Sequence, residues 1–390
     1  MSGPVVIDLQ AAQSRHHGER GIGRWAYEFT AAVCAARPEL IGAVVFNPRL
    51  PVPAVAEALA ATGKVDRTGT AAASARVYHV LSPFEPDEAA GAIWPEAVRG
   101  ASLVVTLYDL IPELYAARYL ADPGWRRRYR TRQLLVRAAD RVLAISEATR
   151  HDAISRLGLD PRRVVNVGAG ISGDFAPAAH RRQAFARAQG QVARLEPGFL
   201  LSVGGEDERK NLSGLLAGYA EVAPELRRDH QLVVACNLSD AYRAQLSAQA
   251  SSLGISSRVR FTGYVDDATL IALYQSTELF VFPPFSEGFG LPLAEAMACG
   301  ALAVGSGTSA TAELVDPAGA FDPSDPSDIA RAITAALGDP ATRAALAAAS
   351  AAPAPSWDQV AQKAATAYEE LLGDRPDRHS LATTWYNNGR

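Results

Sequence analysis

Two glutamates, Glu287 and Glu295, bracket a run of residues suited to binding a phosphorylated ligand. Between them, Gly288 and Gly290 allow backbone conformations that other residues avoid, and they let a ligand approach the amides closely. Pro292 fits the first position of a helix, because a proline lacks the N–H that would be unsatisfied there. We therefore predict a loop that turns into a short helix, whose free N–H groups and dipole form an anion site.

The two carboxylates add hydroxyl-binding groups on either side of this anion site. Glu287 precedes the site, and Glu295 lies about one turn inside the predicted helix, Leu293–Cys299. A charged acceptor makes strong hydrogen bonds, so each carboxylate suits a sugar or ribose hydroxyl. A phosphate site between two such groups indicates a nucleotide sugar. The alternative is an ordinary helix cap with two surface glutamates.

A second cluster of candidate residues follows the predicted strand Phe199–Val203. Gly204 and Gly205 open a turn, and Arg209 and Lys210 then come next to the start of a helix. Adjacent cations there would neutralise a diphosphate, because arginine can bind it with two parallel hydrogen bonds and lysine as a point charge. The alternative is a solvated pair of cations in a loop.

A glycine-rich loop near the N-terminus is a weaker candidate. The predicted strand Val5–Leu9 is followed by Gly21, Gly23 and the cation Arg24 at another strand-to-helix turn. Four more basic residues make this loop cationic, which suits an anionic acceptor or donor: Arg15, His16, His17 and Arg20. The histidines have no partners at a metal-ligand spacing, so we predict no metal site. A plain flexible loop is the alternative.

Short runs of β-branched residues alternate with longer amphipathic stretches, which favours parallel sheets flanked by helices. Six strands are predicted in the first half of the chain: Val5–Leu9, Ile41–Phe46, Val77–Leu81, Leu103–Leu107, Arg141–Ile145 and Val164–Val167. Six more are predicted in the second half: Phe199–Val203, Gln231–Cys236, Val259–Thr262, Leu279–Phe282, Leu302–Gly305 and Ala320–Phe321. We predict an α/β protein with two doubly wound, Rossmann-like domains, which bind ligands at the carboxyl ends of their strands.

The polar stretch Ala178–Pro197 is the expected linker between these domains, which then cover residues 1–195 and 196–356. Residues 338–355 are rich in alanine and proline, and helical periodicity returns over residues 357–372. We expect residues 373–390 to form a loose polar tail.

Composition limits the class of protein. The 390 residues suffice for two domains, and an apolar content of 48% is ordinary for a soluble globular protein. A net charge of −4 gives no support to nucleic-acid binding. We see no signal peptide or membrane-spanning run, so we expect a cytoplasmic protein. Three separated cysteines are predicted to be buried free thiols: Cys34, Cys236 and Cys299.

One predicted helix is strongly basic, since the run Arg126–Arg132 contains five arginines and Arg137 follows it. The simplest interpretation is a solvated face. The alternative is contact with an anionic acceptor or with the inner face of a membrane, which Trp125 and Tyr129 would strengthen.

The run from Glu287 to Glu295 resembles the Glu-x7-Glu motif of retaining glycosyltransferases of family 4, which have the two-domain GT-B fold with a cleft between the domains. The resemblance covers about Val5 to Leu372. It implies that Glu287 lies against the donor sugar and Glu295 against the nucleotide ribose. It also implies donor contacts for the residues that follow Glu287: Gly288, Phe289, Gly290 and Leu291.

The second cluster resembles the family's Gly-Arg…Lys segment, in which an arginine and a lysine hold the leaving diphosphate. Lys210 matches that lysine. Gly205 stands where many members have the arginine, so Arg209 is expected to supply the charge, as in members with Arg-Lys-Asn. The turn with Tyr264 and Val265 is similar to one that presents backbone to the nucleotide base.

Two elements of the N-terminal half also resemble the family. The loop with Gly21, Gly23 and Arg24 is similar to one beside the donor phosphates and the acceptor. Tyr108 and Asp109 begin an element similar to the family's His-Asp-Leu-Ile-Pro, with Tyr108 in place of a histidine that meets the sugar near its sixth carbon. For Asp109, a substrate role and a structural role as cap of the following turn both stay open.

The resemblance implies a retaining, metal-independent hexosyltransferase without a cofactor. The N-terminal domain would bind a glycan, lipid-linked or small-molecule acceptor, and the final helix would pack back on that domain. GDP-mannose is the favoured donor, with a dTDP- or UDP-sugar as the alternative; Tyr108 favours a 6-deoxyhexose such as rhamnose. Two other functions stay open: a pseudo-glycosyltransferase that joins a cyclitol-type donor to an amine, and a non-catalytic nucleotide-sugar sensor.

Overall fold

The computed structural model describes residues 3–13, 21–51, 55–84 and 93–373, and these form two compact units. Unit 1 comprises the described residues of Met1–Gly170 and Pro355–Arg390, and unit 2 comprises Ile171–Ala354. Unit 2 therefore begins earlier in the chain than the expected boundary at residue 196. The reason is a helix, Arg181–Gln191, that lies within the expected linker and packs against a helix of unit 2, Asp267–Ser276.

The described part of unit 1 contains a parallel sheet of seven strands in the order β3-β2-β1-β4-β5-β6-β7. The strands are β1 (Val5–Asp8), β2 (Ile41–Val45), β3 (Val65–Asp66), β4 (Val77–Val80), β5 (Ser102–Leu107), β6 (Arg141–Ala144) and β7 (Val164–Asn166). Six were predicted and are confirmed. The edge strand β3 was missed because two half-buried residues carry no readable periodicity.

Six helices precede or connect these strands in the described part of unit 1. They are α1 (Gly21–Ala36), α2 (Val55–Ala60), α3 (Ile111–Leu114), α4 (Ala116–Tyr119), α5 (Pro123–Ala138) and α6 (Glu147–Leu157).

Unit 2, which is described throughout, contains six parallel strands in the order β10-β9-β8-β11-β12-β13. These are β8 (Leu200–Val203), β9 (Leu232–Ala235), β10 (Val259–Phe261), β11 (Leu279–Phe282), β12 (Ala303–Ser306) and β13 (Ala320–Phe321), all six of them predicted. Its helices are α7 (Arg181–Gln191), α8 (Leu212–Glu221), α9 (Pro224–Asp229), α10 (Asp240–Ser252), α11 (Asp267–Ser276), α12 (Leu291–Ala298), α13 (Pro326–Gly338) and α14 (Pro340–Ala351).

The central strands of unit 2 are buried on both faces. Leu200 pairs with Leu279 and Leu232 at one level of the sheet, and these three side chains share one apolar layer. The next residues along the strands, Leu201 and Phe280, contribute to the layer on the opposite face. Burial on both faces explains why these strands have continuous apolar runs in the sequence.

The final helix, α15 (Trp357–Gly373), belongs to unit 1 and packs along α1. The Tyr368 hydroxyl lies 2.6 Å from Nδ1 of the buried His79, which links the helix to β4. Trp357 lies so close to Gly170 that a Cβ on this glycine would approach the indole to 2.5 Å. Glycine is therefore required at residue 170.

All three cysteines are free and buried, as predicted. None of the helices in the described ranges combines the length and apolar character needed to cross a bilayer. The predicted polar tail lies outside the described residues, apart from Gly373 at its start.

Candidate functional site

The candidate site in unit 2 is built on two neighbouring strands, β8 and β11. The strand order reverses between them, because the chain continues from β8 to β9 on one side and reaches β11 on the other. At such a switch point the loops after the two strands separate and leave room for a ligand. The sequence after β8 carries Arg209 and Lys210, and the sequence after β11 carries Glu287. The topology thus brings both predicted clusters together.

Asn211 ties these two loops to each other. Its Nδ2 donates to the carbonyl oxygens of Pro283, at 3.1 Å, and of Pro323, at 2.7 Å. Its Oδ1 accepts from the Gly214 amide and so caps helix α8. The Asn211 backbone is left-handed, with φ of 55°, a conformation that asparagine tolerates better than most residues. A main-chain bond of 2.7 Å from the Phe285 amide to the Arg209 carbonyl adds a second link.

Glu287 forms ion pairs with both cations. Its Oε1 lies 2.5 Å from Lys210 Nζ, and its Oε2 lies 3.0 Å from an Arg209 guanidinium nitrogen. The side chain of Glu287 is only 10% exposed. Burial raises the pKa of Glu287, but the charges of Lys210 and Arg209 outweigh this effect and leave the pKa below its ordinary value of 4.5. The carboxylate is therefore ionised at neutral pH.

A further carboxylate, Asp207, orients Arg209. Asp207 Oδ1 accepts from the Arg209 amide, at 3.1 Å, and Oδ2 lies 3.2 Å from Arg209 Nε. The Arg209 guanidinium also donates to the Ser286 carbonyl, at 3.1 Å. Sequence reasoning missed Asp207. An aspartate two residues before the arginine is a signal for this kind of turn, because its side chain can accept from the backbone two residues on.

Helix α12 begins directly after the glycines, as the sequence indicates, but at Leu291 rather than Leu293. Gly290 precedes it with φ of 99°, which only glycine adopts readily, and Pro292 takes the second helical position rather than the first. The N–H groups of the first turn are oriented out of the helix start. Glu295 lies one turn further along, and the Tyr274 hydroxyl donates to its carboxylate at 3.4 Å.

Three other predicted donor residues of unit 2 lie on loops after strands. Gly205 follows β8 and has open space where a Cβ would be. Tyr264 and Val265 follow β10, and the Tyr264 side chain is 79% exposed. The predicted contact between the backbone of this turn and a nucleotide base stays a prediction.

Thr308 and Ser309, in the loop after β12, were not singled out from the sequence, yet they contact the loop that carries Glu287. The Glu287 amide donates to Ser309 Oγ at 3.0 Å, and Thr308 Oγ1 donates to the Phe285 carbonyl at 3.1 Å. Serine and threonine in a loop are too common to give a signal in the sequence alone.

In unit 1, the predicted residues after β5, Tyr108 and Asp109, contact other residues of the same unit. Tyr108 is 7% exposed and meets the Trp25 ring edge-on, with centroids 5.2 Å apart. Its carbonyl accepts from Thr149 Oγ1 at 3.0 Å. Asp109 Oδ1 accepts from the Ile111 amide at 2.9 Å, which is the capping contact expected of the structural alternative. The substrate contacts predicted for Tyr108 and Asp109 stay predictions.

The glycine-rich loop of unit 1 is described only from Gly21 onwards. Gly21 is the first residue of α1, Gly23 is buried, and Arg24 is partly exposed on the first turn. The basic residues Arg15, His16, His17 and Arg20 lie outside the described residues. The predicted phosphate and acceptor contacts of this loop stay predictions.

Family models match both halves of the chain. Residues 24–174 match the model described as Glycosyltransferase Family 4, and residues 186–352 match the model described as Glycosyl transferases group 1. The second match contains Arg209, Lys210, Glu287 and Glu295, and the first contains Tyr108 and Asp109.

Two curated relatives and one solved structure are similar to the chain. It is 33% identical over 273 residues to the serotype-specific mannosyltransferase WbdA of Escherichia coli, covering 69% of this chain and 33% of that protein. It is 30% identical over 301 residues to a D-inositol 3-phosphate glycosyltransferase of Salinispora arenicola, covering 73% of this chain and 67% of that protein. The chain thus spans a third of the length of the first relative and two thirds of the second.

The solved structure is that of Anabaena HepE in complex with UDP and glucose. It superposes with a TM-score of 0.72 at 16% sequence identity, over 94% of this chain and 99% of that chain. At this identity the similarity shows a shared fold.

Proposed function

This chain belongs to the glycosyltransferases that combine a family 4 domain with a group 1 domain in the GT-B fold, and we propose that it transfers a hexose from a nucleotide diphosphate sugar to a hydroxyl group of an acceptor. One observation carries the proposal. Arg209 and Lys210 meet Glu287 at the switch point of unit 2, and Glu287 is followed by the start of helix α12. The site thus offers cations for a diphosphate and carboxylates for hydroxyl groups.

The chief physical problem in this reaction is charge. A positive, oxocarbenium-like sugar develops while a diphosphate leaves, so groups that stabilise the leaving anion lower the barrier. In our proposal Lys210, Arg209 and the amides of Gly288–Leu291 take this role. Glu287 orients the sugar, and Glu295 binds the ribose.

We further propose that the reaction retains the anomeric configuration and needs no divalent metal. The departing phosphate would accept the proton of the acceptor hydroxyl on the same face of the sugar. Protein cations would supply the positive charge that a metal ion provides elsewhere. EDTA should therefore leave the activity unchanged, and an NMR spectrum of the first-formed product should show the anomeric configuration of the donor.

GDP-mannose is the donor that we favour. Its support is the similarity to a mannosyltransferase of E. coli and the resemblance of the motifs. Tyr108 favours a 6-deoxyhexose donor, such as dTDP-rhamnose, because an apolar ring suits a methyl group better than a hydroxyl group. HepE, which is similar in fold and was solved with UDP and glucose, makes a UDP-sugar the third choice.

A donor panel tests the proposal. Calorimetric titration with GDP-mannose, dTDP-rhamnose and UDP-glucose identifies the nucleotide, and slow hydrolysis of the donor that binds best shows catalysis. Binding without hydrolysis or transfer would instead support a sensor. Turnover only with an amine acceptor would support a pseudo-glycosyltransferase. In Tyr108→His the ratio of kcat/KM should shift towards 6-hydroxy donors, whereas Tyr115→His, at a partly exposed ring, should leave it unchanged.

A basic stripe on α5 supports a second part of the proposal, peripheral binding to anionic lipid. The stripe consists of the exposed side chains of Arg126, Arg127, Arg130 and Arg137, and α5 contains no acidic residue. Arg126, Arg130 and Arg137 recur at helical spacing over about 16 Å, at 1.5 Å per residue, and Arg127 lies beside them. A row of charges of this length suits a flat layer of headgroups, each basic residue contributing about 1 kcal/mol near the surface.

Sedimentation with phosphatidylglycerol vesicles tests this binding. The full-length protein should sediment with anionic vesicles and not with phosphatidylcholine vesicles. Changing Arg126, Arg127 and Arg130 to glutamine should abolish sedimentation. The same change at three exposed arginines outside α5 is the matched control and should have little effect: Arg162, Arg182 and Arg243. Equal loss in both triple variants would contradict a role of the stripe.

A further inference from the structure

The loop after β12 holds the Glu287 loop at two points. On one side of Glu287, Thr308 Oγ1 donates to the Phe285 carbonyl at 3.1 Å. At Glu287 itself, the amide donates to Ser309 Oγ at 3.0 Å. A third hydroxyl, that of Ser306, lies 2.8 Å from Thr308 Oγ1 and fixes its position. Strands β11 and β12 are neighbours in the sheet, so the contacts join adjacent loops on one rigid frame.

Ser309 makes its contact from an unfavourable backbone conformation. Its φ is 50°, and it is one of three non-glycine residues with a positive φ in the described ranges, the others being Arg194 and Asn211. Asparagine tolerates this region, whereas serine has no such preference. Strained residues of this kind cluster at functional sites, where the surrounding structure holds them in place.

The conformation by itself favours glycine at residue 309. What serine provides and glycine lacks is a hydroxyl group, and this hydroxyl accepts from the Glu287 amide. The same glutamate carries the carboxylate that meets Lys210 and Arg209. A hydrogen bond to its backbone limits the directions in which the carboxylate can be presented.

We propose that Ser309 is a positioning residue for Glu287: it accepts a strained backbone so that its hydroxyl can hold the Glu287 amide and aim the carboxylate at the donor sugar. This inference rests on the proposed function, and it adds a residue to which neither the motifs nor the comparisons assign a role. Misplacement of a reacting group by about 1 Å costs up to about a hundredfold in rate, so the hydroxyl should matter for turnover more than for folding.

Two substitutions separate the effect of the strained backbone on stability from the effect of the hydroxyl group on turnover. Ser309→Gly removes both the strain and the hydroxyl, so Tm should equal or exceed that of the wild type while kcat falls about tenfold or more. Ser309→Thr keeps the hydroxyl but places a β-branched residue at positive φ, so Tm should fall while kcat stays close to that of the wild type. The affinity for the free nucleoside diphosphate should stay within about twofold in both variants, because the sugar is absent.

Arg194→Gly is the matched control, since Arg194 is exposed, lies in the same unit and has φ of 59°. It should keep full activity. Wild-type kcat in Ser309→Gly, or activity that follows Tm in both Ser309 variants, would overturn the inference. A wild type that turns over no donor would contradict the proposed function instead. In that case calorimetry tests the inference. Ser309→Gly should lose affinity for the intact donor relative to the free nucleoside diphosphate. A ratio of these two affinities equal to that of the wild type would overturn the inference.

Discussion

Among single residues, the charges around Glu287 are balanced within the protein. Arg209 and Lys210 contribute two positive charges, and Glu287 and Asp207 lie within 3.2 Å of them with two negative charges. A diphosphate that enters this site competes with a carboxylate for each cation. Glu287 therefore has two roles in our account: it neutralises the two cations before the donor binds, and it orients the sugar afterwards.

This competition predicts the behaviour of Glu287→Gln. Without ligand, two neighbouring cations lose a partner, so stability should fall by about 1.5–3 kcal/mol, the range of hydrogen bonds to charged groups. The nucleoside diphosphate should bind at least as tightly as to the wild type, and its stabilising effect on Tm should be larger. Thermal unfolding with and without GDP measures both effects. Weaker GDP binding by the variant would contradict the competition.

Lys210→Ala tests the stabilisation of the leaving group. Loss of one preorganised electrostatic donor typically costs about 3–4 kcal/mol of transition-state stabilisation. We expect kcat/KM to fall accordingly and added Mg²⁺ to give no rescue. The control is Lys363→Ala, at an exposed lysine on α15, which should keep full activity. Full activity of Lys210→Ala, or loss of wild-type activity in EDTA, would show that the diphosphate is held in another way.

Strands and helices differ in how well the sequence predicts them. The strands of unit 2 were all predicted, because burial on both faces produces continuous apolar runs such as Leu279–Phe282. Helix α14, Pro340–Ala351, was not recognised because its stretch is mainly alanine with one fully buried large residue, Leu346. Helix α7 was taken for part of a linker because Arg181–Gln191 is polar and nearly without amphipathic pattern.

The site was predictable where the chemistry is local. Glycines before a helix and two adjacent cations can be read along the chain, so Gly290, Arg209 and Lys210 were singled out as candidates. Ser309 and Asp207 act through contacts with other residues, and Ser309 reaches Glu287 only because β12 lies beside β11. Such contacts depend on the order of strands, which the sequence does not state.

The end of β1 carries a buried carboxylate with a consequence for stability. Asp8 accepts from the Tyr78 hydroxyl at 2.9 Å and from the side chain and amide of Gln10. Burial raises the pKa of Asp8 from its ordinary value of 3.8 to about 6, although these hydrogen bonds act in the opposite direction. Between these two pH values the folded state binds more protons than the unfolded state, so stability falls as pH rises.

Asp8→Asn should remove this dependence. A pKa raised from 3.8 to about 6 corresponds to about 3 kcal/mol, so the wild type should lose about that much stability between pH 4 and pH 7 through this residue. The variant should lose correspondingly less over the same range. Urea unfolding at a series of pH values measures the difference. Parallel curves for the two proteins would show that Asp8 does not titrate in this interval.

For the whole molecule, the fold and the family follow from different observations. The alternation of strands and helices predicts the units, and the sheets confirm it. The family rests on motifs spread over both halves and on the two family matches. The sequence does not predict the acceptor in the same way, because Gly21, Gly23 and Arg24 form a common kind of turn. Donor and acceptor are therefore matters for experiment.

The central claim is that one site holds the diphosphate through cations and the sugar through Glu287. The most direct measurement follows transfer of labelled mannose from GDP-mannose by the wild type and by Glu287→Ala, with nucleotide binding measured on the same samples. We predict transfer by the wild type, no transfer by Glu287→Ala, and GDP binding by both. Glu295→Ala should show the reverse order, with weaker GDP binding as its first effect. Near-normal turnover by Glu287→Ala would contradict the account.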